Sequence, residues 1–157
     1  METSRWSRAF GAALLSGSAA SVASTFALLW CGRREVNDGA APLNGPSQWI
    51  WGTHAPYCSG FSVRHTVVGY AIHHLASIFW AVAFERFRPK GWEAMPAVAA
   101  AALTSATASI VDYQFTPRRF RPGFEKRLSR SSLTLVYAAF AAGLAAAAIM
   151  TSPVRGR

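Results

Sequence analysis

Acidic residues, cysteine and recognisable catalytic signatures are all scarce in this chain. It carries 7 Asp and Glu against 16 Lys and Arg, and its charged residues make up only 15% of the total, where soluble proteins carry about 25%. Long stretches hold no charged residue at all, so the surface of a water-soluble domain cannot be assembled from them. No Gly-x-Ser-x-Gly elbow, His-Glu-x-x-His pair or phosphate-cradling Gly-rich loop occurs, which argues against hydrolase chemistry and against catalysis in general. The 2 cysteines, Cys31 and Cys58, form no CxxC or Cys/His zinc pattern. Both fall between the first and second apolar runs, where a disulfide between them and a pair of free thiols are the alternative expectations.

What is abundant is apolar, at 52% of the 157 residues. Four runs, at about 9–30, 66–84, 94–111 and 133–150, are each long enough to cross about 30 Å of hydrocarbon at about 1.5 Å per residue. The expected fold is therefore all-α: one transmembrane domain over 1–157, an integral membrane four-helix bundle with a long first loop and interfacial segments. Within the first run, Val22-Ala23-Ser24 resembles the cleavage site of a secretory signal. Apolar residues continue through Phe26, Leu28 and Leu29, which favours a retained helix. Ala13, Gly17 and Ser21 in that run, and Ala139, Gly143 and Ala147 in the last, repeat a small residue every fourth position, the spacing that lets helix backbones approach closely in lipid.

The formal net charge of +9 gathers at the ends of the apolar runs and not along one polar face. That pattern disfavours nucleic acid and fits anionic lipid headgroups, whose attraction is worth about 1 kcal/mol per basic residue near the surface. Orientation is balanced. Arg5, Arg8, Arg86, Arg88, Lys90, Arg155 and Arg157 would share one side with the termini, and Arg33, Arg34, Arg64 and the basic residues of 118–130 the other. The positive-inside rule slightly opposes cytoplasmic termini, whereas the N-terminal basic pair and the loop cysteines favour them.

Between the first two runs, Asn37-Asp38-Gly39 and Asn44-Gly45-Pro46-Ser47 are turn-forming clusters. Trp49 and Trp51 follow, suited to the headgroup layer as an interfacial or shallow re-entrant turn.

Ionisable groups inside the spans are the strongest functional lead, because a central charge costs about 2.5–3.5 kcal/mol on insertion and calls for a partner or a task. At helical spacing Gly69, His73, Ser77 and Trp80 share one face, with His74 on the neighbouring one. In the third run Ser105, Ser109 and Asp112 form a polar stripe. Together they predict a polar track of His65, His73, His74, Ser105, Ser109 and Asp112, with Asp112 nearest in depth to His65, and His73 nearest to the mid-helix hydroxyls. Separate interhelical hydrogen bonds holding the bundle together are the plainer explanation of the same residues. No cofactor is expected. His65 and His73 lie about 12 Å apart along a helix, too far to share a metal, and a bis-histidine haem would need the loop residue His54 to fold back.

The segment from Pro117 to Arg127 alternates aromatics with basic residues. Phe115, Phe120 and Phe124 can enter the interface while Arg118, Arg119, Arg121, Lys126 and Arg127 contact lipid or another anion. Together with Asn44-Gly45-Pro46-Ser47-Gln48-Trp49 and His73-His74, the stretch from Pro117 to Glu125 resembles small, uncharacterised bacterial inner-membrane proteins of four spans. The order of spans and the proline-containing first loop are also loosely similar to the YagU type. The resemblance implies a multi-pass inner-membrane location and no particular activity.

Two functional expectations follow. The small-residue stripes point to a structural or accessory subunit that associates with a larger membrane complex or with a second copy. The intramembrane histidines and Asp112 point instead to proton- or ion-linked permeation or a pH response. A metal-dependent membrane enzyme ranks third.

Overall fold

The computed structural model describes residues 2–89, 91 and 93–152. Lys90, Arg155 and Arg157, counted in the charge balance, lie outside the described residues. The described chain is helical, and four of its helices are long and apolar enough to cross a membrane. They are α1 (Glu2–Val36), α4 (Val68–Phe87), α5 (Ala94–Ile110) and α6 (Arg130–Met150). Two one-turn helices, α2 (Ala41–Asn44) and α3 (Gln48–Trp51), lie in the first connection. Large apolar side chains such as Phe26, Leu75, Phe79 and Leu103 point outward. In water that surface would be an aggregation liability; in a bilayer it is the expected outer face of a bundle.

Lipid offers no hydrophobic gain for bringing apolar helices together, so close packing and interhelical hydrogen bonds must do it. The core is accordingly built from small residues. Ala13, Ala20, Ala81, Ala97, Ala101 and Ala148 surround Phe84, Phe140 and Leu144. α1 is the central helix and packs on both α4 and α6, α5 packs mainly on α6, and α4 and α5 touch only slightly. At the closest α1–α6 approach, a Cβ on Gly143 would fall 2.5 Å from Ala20 Cα, a separation only glycine allows. Gly17 likewise faces Ile78 of α4. Both small-residue stripes are thus used within the bundle.

All four spans run beyond their predicted limits, α6 by beginning at Arg130. α1 continues past Trp30 to Val36 and ends where Asn37 takes a left-handed φ of 54°, a conformation asparagine tolerates. A π-helical turn, Val63–Val67, leads into α4, and Ser62 starts it. Ser62 Oγ accepts from His65 N at 3.1 Å while Thr66 Oγ1 accepts from Ser62 N at 3.0 Å, a reciprocal cap. α5 runs on into a second π-helical turn, Val111–Phe115. Such turns inside membrane helices are frequent at functional positions.

The first connection differs from the expected long loop. Residues 41–48 are all buried, and α4 sits so closely on them that a Cβ on Gly69 would lie 1.9 Å from the Leu43 carbonyl oxygen. Asn44, fully buried, organises this cap. Its amide donates to the carbonyls of Cys58 (2.9 Å) and Gly60 (3.1 Å) and its oxygen accepts from Thr66 Oγ1 (2.6 Å). Gln48 Nε2 donates to the Arg121 carbonyl at 2.6 Å, joining the cap to the α5–α6 connection. Glu35, at the end of α1, accepts from Ser129 N and Oγ at 2.7 Å and from Ser132 Oγ, and so caps α6.

Cys31 and Cys58 stand as free thiols in the structure. Cys31 is buried with Leu28, Leu43 and Phe124, whereas Cys58 Sγ stays near the His54 carbonyl at 3.8 Å.

Candidate functional site

A cavity of about 60 Å³ lies in the half of the bundle nearest the cap. α1 contributes Ser24; α4 contributes Ile72, His73, Ala76, Ser77 and Trp80; α5 and its π turn contribute Ala108 and Asp112; α6 contributes Val136, Tyr137 and Phe140. Pro46, Trp49, Phe120, Pro122 and Phe124 roof it from the two connections. Below it the alanine-rich core closes the bundle. The limited α4–α5 contact leaves an outward groove, lined by Leu75, Phe79, Val111 and Thr116, that shares Trp49, Ile72, Ala76, Trp80, Asp112 and Phe120 with the cavity.

His73 is held from two directions. Its Nε2 is 3.0 Å from Ser24 Oγ, and its ring meets Phe124 edge-on at 5.7 Å. The Ser24 hydroxyl also lies 2.8 Å from the Ala20 carbonyl. A hydroxyl has one proton, so donation to that carbonyl leaves Oγ to accept from an Nε2–H imidazole. Ser77 Oγ donates to the His73 carbonyl at 2.8 Å, one turn back along α4, which satisfies the hydroxyl within its own helix.

Asp112 accepts from the Tyr137 hydroxyl at 2.6 Å, within the range of a charge-assisted O–H···O bond. Ser105 Oγ donates to the Tyr137 carbonyl at 2.6 Å, fixing α5 against α6 about two turns from Asp112. Among the described residues around the cavity there is no Lys or Arg. The carboxylate is therefore balanced by a phenol and not by a fixed cation. Such a site can exchange a proton or accept a hydrogen bond from a small ligand.

The predicted track is divided among several places. His73 and Asp112, which depth alone kept apart, line the same cavity. His65, the expected partner of Asp112, lies under the cap with Nδ1 3.2 Å from Ser47 Oγ. His74 sits beside Tyr70 at 5.7 Å between ring centroids. Ser105 and Ser109 line a groove between α5 and α6, away from α4. The reason is rotational: α5 packs mainly on α6, so its polar stripe faces α6. Ser24 and Tyr137, the two residues that hold the site, were not singled out from the sequence. Tyr137, a phenol in an otherwise alanine-rich span, was the available signal.

Trp49 and Trp51 lie at the cap surface. Trp49 meets Phe120 edge-on at 5.6 Å, and Trp51 Nε1 donates to the Arg64 carbonyl at 2.8 Å under the Arg64 guanidinium. Of the expected anion contacts, Arg118, Arg119 and Lys126 are exposed. Arg121 Nε instead donates to the Thr116 carbonyl at 3.1 Å. Arg127 donates to the Pro56 carbonyl at 2.8 Å, and to the Tyr57 carbonyl, tying the two connections together. No three metal-ligating side chains converge among the described residues.

The chain matches no protein-family model, no curated protein and no solved structure.

Proposed function

We propose that this multi-pass membrane protein works through the His73–Asp112 cavity, as a proton-linked permeation protein of the bacterial inner membrane. The observation that carries the reading is the meeting of an imidazole and a carboxylate from different helices in one water-sized cavity, each hydrogen-bonded to a neutral hydroxyl. Ionisable side chains inside a bundle are costly and point to a task. The sequence resemblance to four-span bacterial proteins supports the inner-membrane location. Reconstitution into liposomes under a pH gradient tests the reading: internal acidification faster than in protein-free liposomes is expected, and equal rates would overturn it.

An accessory-subunit role, or self-association, is favoured by a separate observation. The exposed face of α5 carries Ala99, Ala102 and Ala106 beside Leu103, small enough for another helix to approach closely. Co-purification of a stoichiometric membrane partner, or of a second copy, that is lost on Ala102→Leu with Ala106→Leu would support this role. A monodisperse monomer would contradict it.

A further inference from the structure

At the end of the bundle opposite the cap, the start of α1, the end of α4 and the end of α6 enclose an open pocket. Its lining includes Arg5, Arg8, Arg86 and Arg88, with Glu85 and Thr151. Four guanidiniums thus surround a single carboxylate among the described lining residues, and Arg88 Nε pairs with that carboxylate at 2.9 Å. Arg86 is positioned by aromatic rings, its guanidinium 5.2 Å from Trp6 and 5.3 Å from Phe87. Its Nε is buried and has no hydrogen-bond partner in the structure. A buried donor on a guanidinium held against aromatic rings, in a pocket that further arginines line, is matched by an acceptor that carries several oxygens and negative charge. Phe87, which lines the pocket, is exposed.

We infer that the Arg5–Arg8–Arg86–Arg88 pocket is a binding site for a phosphate-bearing anion. Arginine suits this ligand because its planar fork can bond two phosphate oxygens at once. The phosphate can come from an anionic lipid headgroup or from a free ion, and the site stands apart from the cavity. It also differs from the Arg118–Arg127 segment, where Arg121 and Arg127 are engaged by protein carbonyls.

The full chain, in phosphatidylcholine nanodiscs doped with phosphatidylglycerol, tests the lipid source by native mass spectrometry. The expected result is preferential retention of phosphatidylglycerol, weakened about fivefold by Arg86→Gln and about twenty-fivefold when Arg8→Gln is added. The control double variant Arg33→Gln with Arg34→Gln removes equal charge at the cap end and should leave retention unchanged. Calorimetric titration of the detergent-purified protein with inorganic phosphate tests the other source. Saturable phosphate binding with the same dependence on Arg8 and Arg86, without lipid preference, assigns the site to the free ion. Equal losses in both double variants, or no binding of either probe, would overturn the inference. Monodisperse elution of each variant separates these outcomes from misfolding.

Discussion

His73 Nε2 lies 3.0 Å from the hydroxyl oxygen of Ser24, so the imidazole of the cavity is held by the central helix α1 and not by α5, which leads into Asp112. Replacing Ser24 with alanine removes that side-chain partner and leaves the buried imidazole only its backbone contact with Ser21. A loss of about 1–3 kcal/mol in stability is expected, read as a lowered unfolding midpoint in detergent. Ser24→Thr, which keeps the hydroxyl, should recover most of it.

Asp112 and Tyr137 allow structure and function to be separated. Asp112→Asn retains an oxygen that can accept from the Tyr137 hydroxyl, whereas Asp112→Ala removes that acceptor. The alanine variant should unfold more easily than the asparagine variant by about 1–3 kcal/mol. Equal midpoints for the two would show that the 2.6 Å bond contributes little.

The four spans were legible in the sequence because length and hydropathy suffice for them in a bilayer. Ser24, Tyr137 and the shared cavity were not. A helix that is apolar nearly all round gives no periodic signal for its rotation, and α5 in particular turned its Ser105–Ser109 stripe toward α6. Depth along a straight helix paired Asp112 with His65. The burial of residues 41–48 instead placed His65 under the cap, leaving Asp112 with Tyr137 and His73. The compact cap was hidden for a related reason: its polar residues read as a solvated loop, yet Asn44 and Gln48 use their amides to satisfy buried backbone carbonyls.

Gly143 sets the distance between α1 and α6. An added methyl group at 2.5 Å from Ala20 Cα and 2.7 Å from the Ala19 carbonyl oxygen meets backbone on the facing helix. Gly143→Ala should therefore destabilise the bundle by about 1–3 kcal/mol, measured by thermal unfolding. Gly11, which has open space around its Cβ position, is the matched control, and Gly11→Ala should be neutral or slightly stabilising.

The two thiols report on the cap. In the native protein a maleimide should label Cys58 readily and Cys31 only after denaturation, since Cys31 is 1% exposed. Asn44→Ala removes three hydrogen bonds from the cap, and in a Cys58→Ser background it should make Cys31 reactive under native conditions. Unchanged protection of Cys31 in that variant would mean that packing alone holds the cap closed.

Proton entry into liposomes containing His73→Ala, Asp112→Asn or His74→Ala protein, compared with the unaltered chain, tests the working role of the cavity most directly. Loss of flux in the first two and normal flux in the third, whose histidine lies outside the cavity, is the predicted pattern. Flux that persists in both His73→Ala and Asp112→Asn would contradict it.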